Sequence, residues 1–108
     1  MRVHLGEFEQ VLLLALARLD EDASSLDVRA CIEARAGRTV SPGAIYTAFQ
    51  RLERRGFVAT SFGEPTPQRG GKRKKLYRLR PAGVRALQDM QSALGGLARG
   101  LKPRVLSR

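Results

Sequence analysis

S-P-G-A-I-Y-T-A-F-Q-R-L-E-R-R-G, residues 41–56, spells a helix together with both of its ends. The Ser41 hydroxyl can accept from a backbone N–H of the first turn, so Ser41 is a natural N-cap. Pro42 falls at the first helical position, where its missing N–H is no loss. Gly56 suits the position just past the C-terminus, and Arg54 and Arg55 oppose the negative end of the helix dipole. Ile45, Ala48, Phe49 and Leu52 recur at helical spacing and define one apolar face. At roughly 100° per residue the opposite face carries Gly43, Thr47, Gln50 and Arg54, with Tyr46 and Arg51 on its flanks. That face holds donors and cations and no carboxylate; Glu53 lies nearer the core edge. Most amphipathic helices with Arg and Gln outside are simply solvated, so the neighbouring segments must decide what this one does.

Upstream, a first helix is expected over about Gly6 to Arg18. Phe8, Leu12, Ala15, Leu16 and Leu19 form its core stripe, and Val11, Leu13 and Leu14 widen that stripe almost all round. A helix so apolar in a small protein usually has a second buried contact, most simply another copy of the chain, the alternative being that the domain wraps tightly enough to bury it unaided. Asp20 to Ser25 is an acidic connector with N-cap candidates. A second helix follows to Ala36, with Val28, Cys31 and Ile32 on one face and Gly37 as its stop. Arg38-Thr39-Val40 is a short extended link to the Ser41 cap. Two helices, a link and a capped third helix have the layout of a helix-turn-helix with one helix in front.

Downstream of Gly56 the period changes to two. Residues 57–62 (F-V-A-T-S-F) are rich in β-formers, and residues 63–71 (G-E-P-T-P-Q-R-G-G) are turn chemistry. Residues 72–80 (K-R-K-K-L-Y-R-L-R) predict a second strand, with Tyr77 and Leu79 on one face and cations dominating the other. The pair makes a β-hairpin, the wing of a winged helix. From Arg69 to Arg80 seven residues are basic and none is acidic. Such a run repels itself unless a polyanion lies alongside, and the basic strand is expected to abut the Arg-rich end of the third helix. Pro81 opens a last helix in which Leu87, Met90, Leu94, Leu97 and Leu101 alternate steps of three and four, a heptad-like seam suited to another helix. Gly95, Gly96 and Gly100 weaken it, so order is expected to fade near Gly95 and residues 102–108 to form a loose basic tail.

The 108 residues suffice for one modest core. The formal charge of +10 is unevenly placed. Residues 1–50 carry five Lys/Arg against seven Asp/Glu, a net of −2; residues 51–108 carry fifteen against three, a net of +12. This asymmetry points to a polyanion met by the second half of the chain. The single cysteine, Cys31, fits a reducing cytoplasmic setting and a buried, inert position. No signal peptide or membrane span is legible, and no metal or cofactor is expected. An enzyme is disfavoured: His4 is the one histidine, no nucleophile–base pair is visible, and R-G-G at 69–71 is a turn with no Gly-Lys-Ser/Thr after a strand.

Three stretches together, L-G-E-F-E-Q-V-L-L-L-A-L (5–16), the capped helix (41–56) and G-E-P-T-P-Q-R-G-G-K-R-K-K-L-Y-R-L-R-P-A-G (63–83), resemble the PadR family of bacterial transcriptional regulators. The resemblance covers nearly the whole chain to about Leu94. It implies a winged helix-turn-helix homodimer, joined through helix one and the C-terminal helix, that represses transcription at a palindromic operator. Carried over by position, Ser41, Tyr46 and Thr47 belong to the reading helix and Arg69 to Lys74 to the wing. The part after the wing is short, as in the small-subfamily form, with no room for a separate effector domain. Helix two reads S-L-D-V-R where many members have an aromatic and a glycine. The family's effectors are diverse, so no small-molecule ligand follows.

The expected fold is mainly α with a small β-hairpin (α+β): a winged helix-turn-helix domain over residues 1–80, a C-terminal dimerisation helix over 81–101 and a basic tail over 102–108. The expected partner is double-stranded DNA. Gln50 and Arg54 suit base edges, since Gln pairs with adenine and Arg with guanine in bidentate fashion. Ser41, Tyr46 and Thr47 suit phosphate and sugar, Arg51 is a further expected DNA contact, and Arg69, Lys72, Arg73 and Lys74 of the wing suit the backbone or the adjacent minor groove. Leu5, Val11, Leu13, Leu14, Leu87, Met90, Leu94 and Leu97 are the expected dimer contacts. A winged-helix module for RNA or the ribosome, and a basic protein-interaction module, would share the charge footprint.

Overall fold

The computed structural model of the chain describes residues 4–64 and 73–107. In chain order it has helix α1 (Glu7–Leu19), α2 (Ser25–Ala36), α3 (Pro42–Arg54), strands β1 (Val58–Phe62) and β2 (Lys75–Leu79), then α4 (Pro81–Ala98) and the single turn α5 (Pro103–Leu106). Three helices followed by an antiparallel β-ribbon give the expected winged helix-turn-helix.

Each helix end has a local cause. At α1 the Gly6 N–H donates to Glu9 Oε1 at 2.9 Å. At α2 the cap is reciprocal: Ser24 Oγ accepts from the Asp27 N–H (3.2 Å), and Asp27 Oδ2 accepts from the Ser24 N–H (3.0 Å). At α3 Ser41 Oγ accepts from the Ala44 N–H at 3.1 Å, with Pro42 at the first position as expected. Gly37 ends α2 in the left-handed region (φ 62°), where glycine is at ease; Asp20, at φ 52°, does the same after α1 without that freedom.

The core gathers one stripe from every large element. Leu12, Leu13 and Leu16 of α1 meet Val28 and Ile32 of α2, Ile45, Phe49 and Leu52 of α3, Val58 and Tyr77 of the ribbon, and Leu87 of α4. The α3 stripe is the one its spacing predicts. The ribbon's register pairs Val58 with Leu79, Thr60 with Tyr77 and Phe62 with Lys75. The acidic connector adds a stitch that periodicity does not reveal: Ala23 and Tyr77 exchange backbone hydrogen bonds of 3.0 and 2.8 Å. Where α4 departs, the Phe57 carbonyl accepts from the Arg80 N–H and lies so close to Gly83 that a Cβ there would drive into it.

Two expectations at the C-terminus are revised. α4 does not fade near Gly95 but continues to Ala98, the Arg99 N–H still reaching the Gly95 carbonyl at 2.9 Å. Within the expected tail the described residues 102–107 are not simply loose, because Pro103 starts a further helical turn. No described helix is long and apolar enough to cross a membrane.

Candidate nucleic-acid interface

The apolar stripe of α3 is fully buried, and this fixes the helix's rotation. Ser41, Tyr46, Thr47, Gln50, Arg51 and Arg54 therefore all face solvent. Glu53, the one acidic residue of α3, is held sideways, its carboxylate accepting from the Thr60 hydroxyl of β1 at 2.8 Å. Arg55 is withdrawn as well. Its guanidinium bonds Glu9 of α1 (3.2 Å) and the His4 carbonyl, and it lies 4.8 Å over the Phe57 ring. The face carrying Thr47, Gln50 and Arg54 is thus free of carboxylate, with two arginines uncommitted: neither Arg51 nor Arg54 makes a side-chain bond among the described residues.

Of the wing cations expected at the site, Arg73 and Lys74 are exposed and lead into β2, the Lys74 carbonyl accepting from the Gly63 N–H at 2.8 Å. Arg69 and Lys72 lie outside the described residues. The ribbon meets α3 at more points than its Arg-rich end alone. Lys75, at the start of β2, places its Nζ 5.5 Å from the Tyr46 ring and 5.7 Å from the Tyr77 ring. The basic strand thus touches the first half and middle of α3, at Tyr46 and Phe49, while β1 meets its Arg-rich end through Thr60 and Glu53. Lys75 was missing from the sequence-based site, although strand alternation contains the signal. It shares parity with Tyr77 and Leu79, so it points inward to α3 while Lys74 points away. Ser25 and Leu26, at the start of α2, lie outside the expected site. With Tyr46, Lys74, Lys75 and Tyr77 they line a cleft of about 230 Å³ beside the exposed face of α3, and Leu26 is left 63% exposed.

Within this group Tyr77 is the buried anchor. Its ring stacks on Phe49 with centroids 4.2 Å apart. Burial raises its phenol above the ordinary value of 10.0, and the neighbouring Tyr46 and Glu53 push the same way. Among the described residues no cluster of His, Cys, Asp or Glu is arranged to hold a metal ion.

The residues expected at a dimer interface divide by burial. Leu14, Leu94 and Leu97 are exposed, Leu97 to 80%, and Val11 and Met90 are half-buried. Leu5, Leu13 and Leu87 are instead packed into the chain's own core and keep almost no surface for a partner. The reason is that α2, α3, α4 and β2 all pack on α1, so the domain itself covers more of that helix than its composition suggests.

The sequence profile of the Transcriptional regulator PadR-like family matches residues 13–89. No curated protein matches the chain. Among solved structures, a PadR family transcription regulator from Clostridium difficile R20291 superposes with a TM-score of 0.72 at 18% identity, covering 87% of this chain and 93% of its own. One from Eggerthella lenta gives 0.68 at 25% identity, covering 87% and 81%. PadR of Bacillus subtilis in complex with operator DNA gives 0.65 at 22% identity, covering 78% of this chain but 47% of that one.

Proposed function

Because the chain belongs to the Transcriptional regulator PadR-like family, we propose that it is a DNA-binding regulator that represses transcription as a homodimer on a palindromic operator. The observation that carries this reading is the exposed face of α3, free of carboxylate and flanked by the cations of β2. Similarity to a structure holding operator DNA supports the choice of duplex DNA over other polyanions.

In this reading α3 enters the major groove. Gln50 and Arg54 address base edges; Ser41, Tyr46, Thr47 and Arg51 hold phosphate and sugar. Arg73 and Lys74, with Arg69 and Lys72, grip the adjacent backbone. Residues 1–80 read, and α4 pairs two copies through Leu94, Leu97 and Met90, with Val11 and Leu14 of α1 facing them. Pairing sets two reading helices about one DNA turn apart. Repression follows from occupancy of a promoter.

Selection of bound duplexes from a random pool, read by sequencing, tests the proposal. A palindromic motif with half-sites about ten base pairs apart is the expected outcome. Absence of any enriched duplex, or enrichment of structured RNA in a parallel pool, overturns it.

A further inference from the structure

Tyr46 is a large aromatic left 48% exposed on the reading face, yet its position is closely specified. Its hydroxyl oxygen accepts from Gln50 Nε2 at 3.2 Å, one helical turn on. Its ring lies 5.5 Å from Lys75 Nζ, and that ammonium is shared with the ring of Tyr77, which is itself stacked on Phe49 of the core. A continuous chain of contacts thus leads from the core, through the root of the ribbon, to the amide expected to read a base.

The bond from Gln50 leaves that amide correctly equipped. A primary amide has two N–H donors and one carbonyl acceptor. One N–H is spent on Tyr46. The other N–H and the carbonyl remain, and these are the donor and acceptor that adenine's N7 and N6 amino group require. The Tyr46 O–H, having accepted, still has its own proton to donate outward, where a backbone phosphate would lie.

We propose that Tyr46 is a specificity-determining positioning residue: it fixes the Gln50 amide for base readout and is itself held by Lys75, so that the wing contributes to sequence choice without touching a base. This rests on the duplex-binding reading above. An unrestrained Gln loses rotamer freedom when it binds; one already tethered at its nitrogen loses less and is less able to turn its amide to suit a different base.

The test compares the full-length wild type with Tyr46→Phe, Gln50→Ala, the double variant and Lys75→Met. Each is titrated at fixed salt with the selected duplex, its single-base-pair variants and a random duplex. Tyr46→Phe keeps the ring and removes only the hydroxyl. It is expected to lower the preference at one base pair by about five- to tenfold, the same pair affected by Gln50→Ala, with the double variant no worse than Gln50→Ala alone. Lys75→Met keeps the stem and is expected to lower that preference about two- to fivefold. Full preference retained by Tyr46→Phe, or losses from Tyr46 and Gln50 that simply add, overturn the proposal while leaving duplex binding standing. Failure of the wild type to bind any duplex removes the parent reading, and the relay with it.

Discussion

Tyr77 fastens the ribbon to the helices from two directions: its ring stacks on Phe49, and its backbone exchanges hydrogen bonds with Ala23. Because burial raises its phenol, the unfolded chain ionises this group first as pH climbs past 10.0. Folding stability is then fully present below that value and is lost as pH rises toward the folded-state value. Between about pH 9 and 11 the urea midpoint should fall more steeply for the wild type than for Tyr77→Phe; parallel slopes would show the phenol to be indifferent to folding. Gly83 makes a second single-residue case. A Cβ there meets the Phe57 carbonyl, a backbone atom that cannot swing aside. Gly83→Ala should destabilise by about 1–3 kcal/mol, despite the helix preference of alanine, and lower the melting temperature by several degrees.

Among the elements, α3 was the most legible, since caps and a 3.6-residue stripe are local signals and Ser41, Pro42 and the buried face all stand where the spacing puts them. The exposed polar face follows from that burial by subtraction. The ribbon was legible in outline. Its join to α3 was not, because the parity that turns Lys75 inward was masked by a run of four cations. The Ala23 stitch was hidden for a different reason: it pairs residues far apart in sequence, and no periodicity within the acidic connector marks it. In α1 an apolar surface that reads as spare is used by four neighbouring elements, so composition overstated what was left for a partner. In α4 the glycines were weighed too heavily. Each weakens a helix by only about 1 kcal/mol, and α4 carries Gly95 and Gly96 to its end. A Cβ at Gly96 meets nothing within 4 Å, so Gly96→Ala should raise stability by up to about 1 kcal/mol with a matching gain in helical circular dichroism. A loss of stability would mean that this glycine faces a close neighbour in the assembled state.

At the scale of the whole molecule, charge and shape point to the same use. The net +12 of residues 51–108 suits a polyanion, and a dimer that engages about eight phosphates should show log affinity falling with log salt at a slope of about −7. A flat salt response would rule out the phosphate grip. The chain extends 57 × 32 × 21 Å with a radius of gyration of 16.2 Å, against about 13 Å for a compact fold of this length. Leu94 and Leu97 stand exposed on α4, and Leu101 just beyond its end. Changing Leu94 and Leu97 together to Asp should give single-chain mass in light scattering and cost about a hundredfold in operator affinity, since two linked half-sites bind far better than one. An unchanged mass would place the interface elsewhere. The proposed pairing through this outstretched arm has one more result. The abundance of paired molecules rises with the square of the chain's concentration while most copies are single. A modest change in synthesis then becomes a larger change at the promoter, and a gene under this protein would respond with a threshold rather than a gradient.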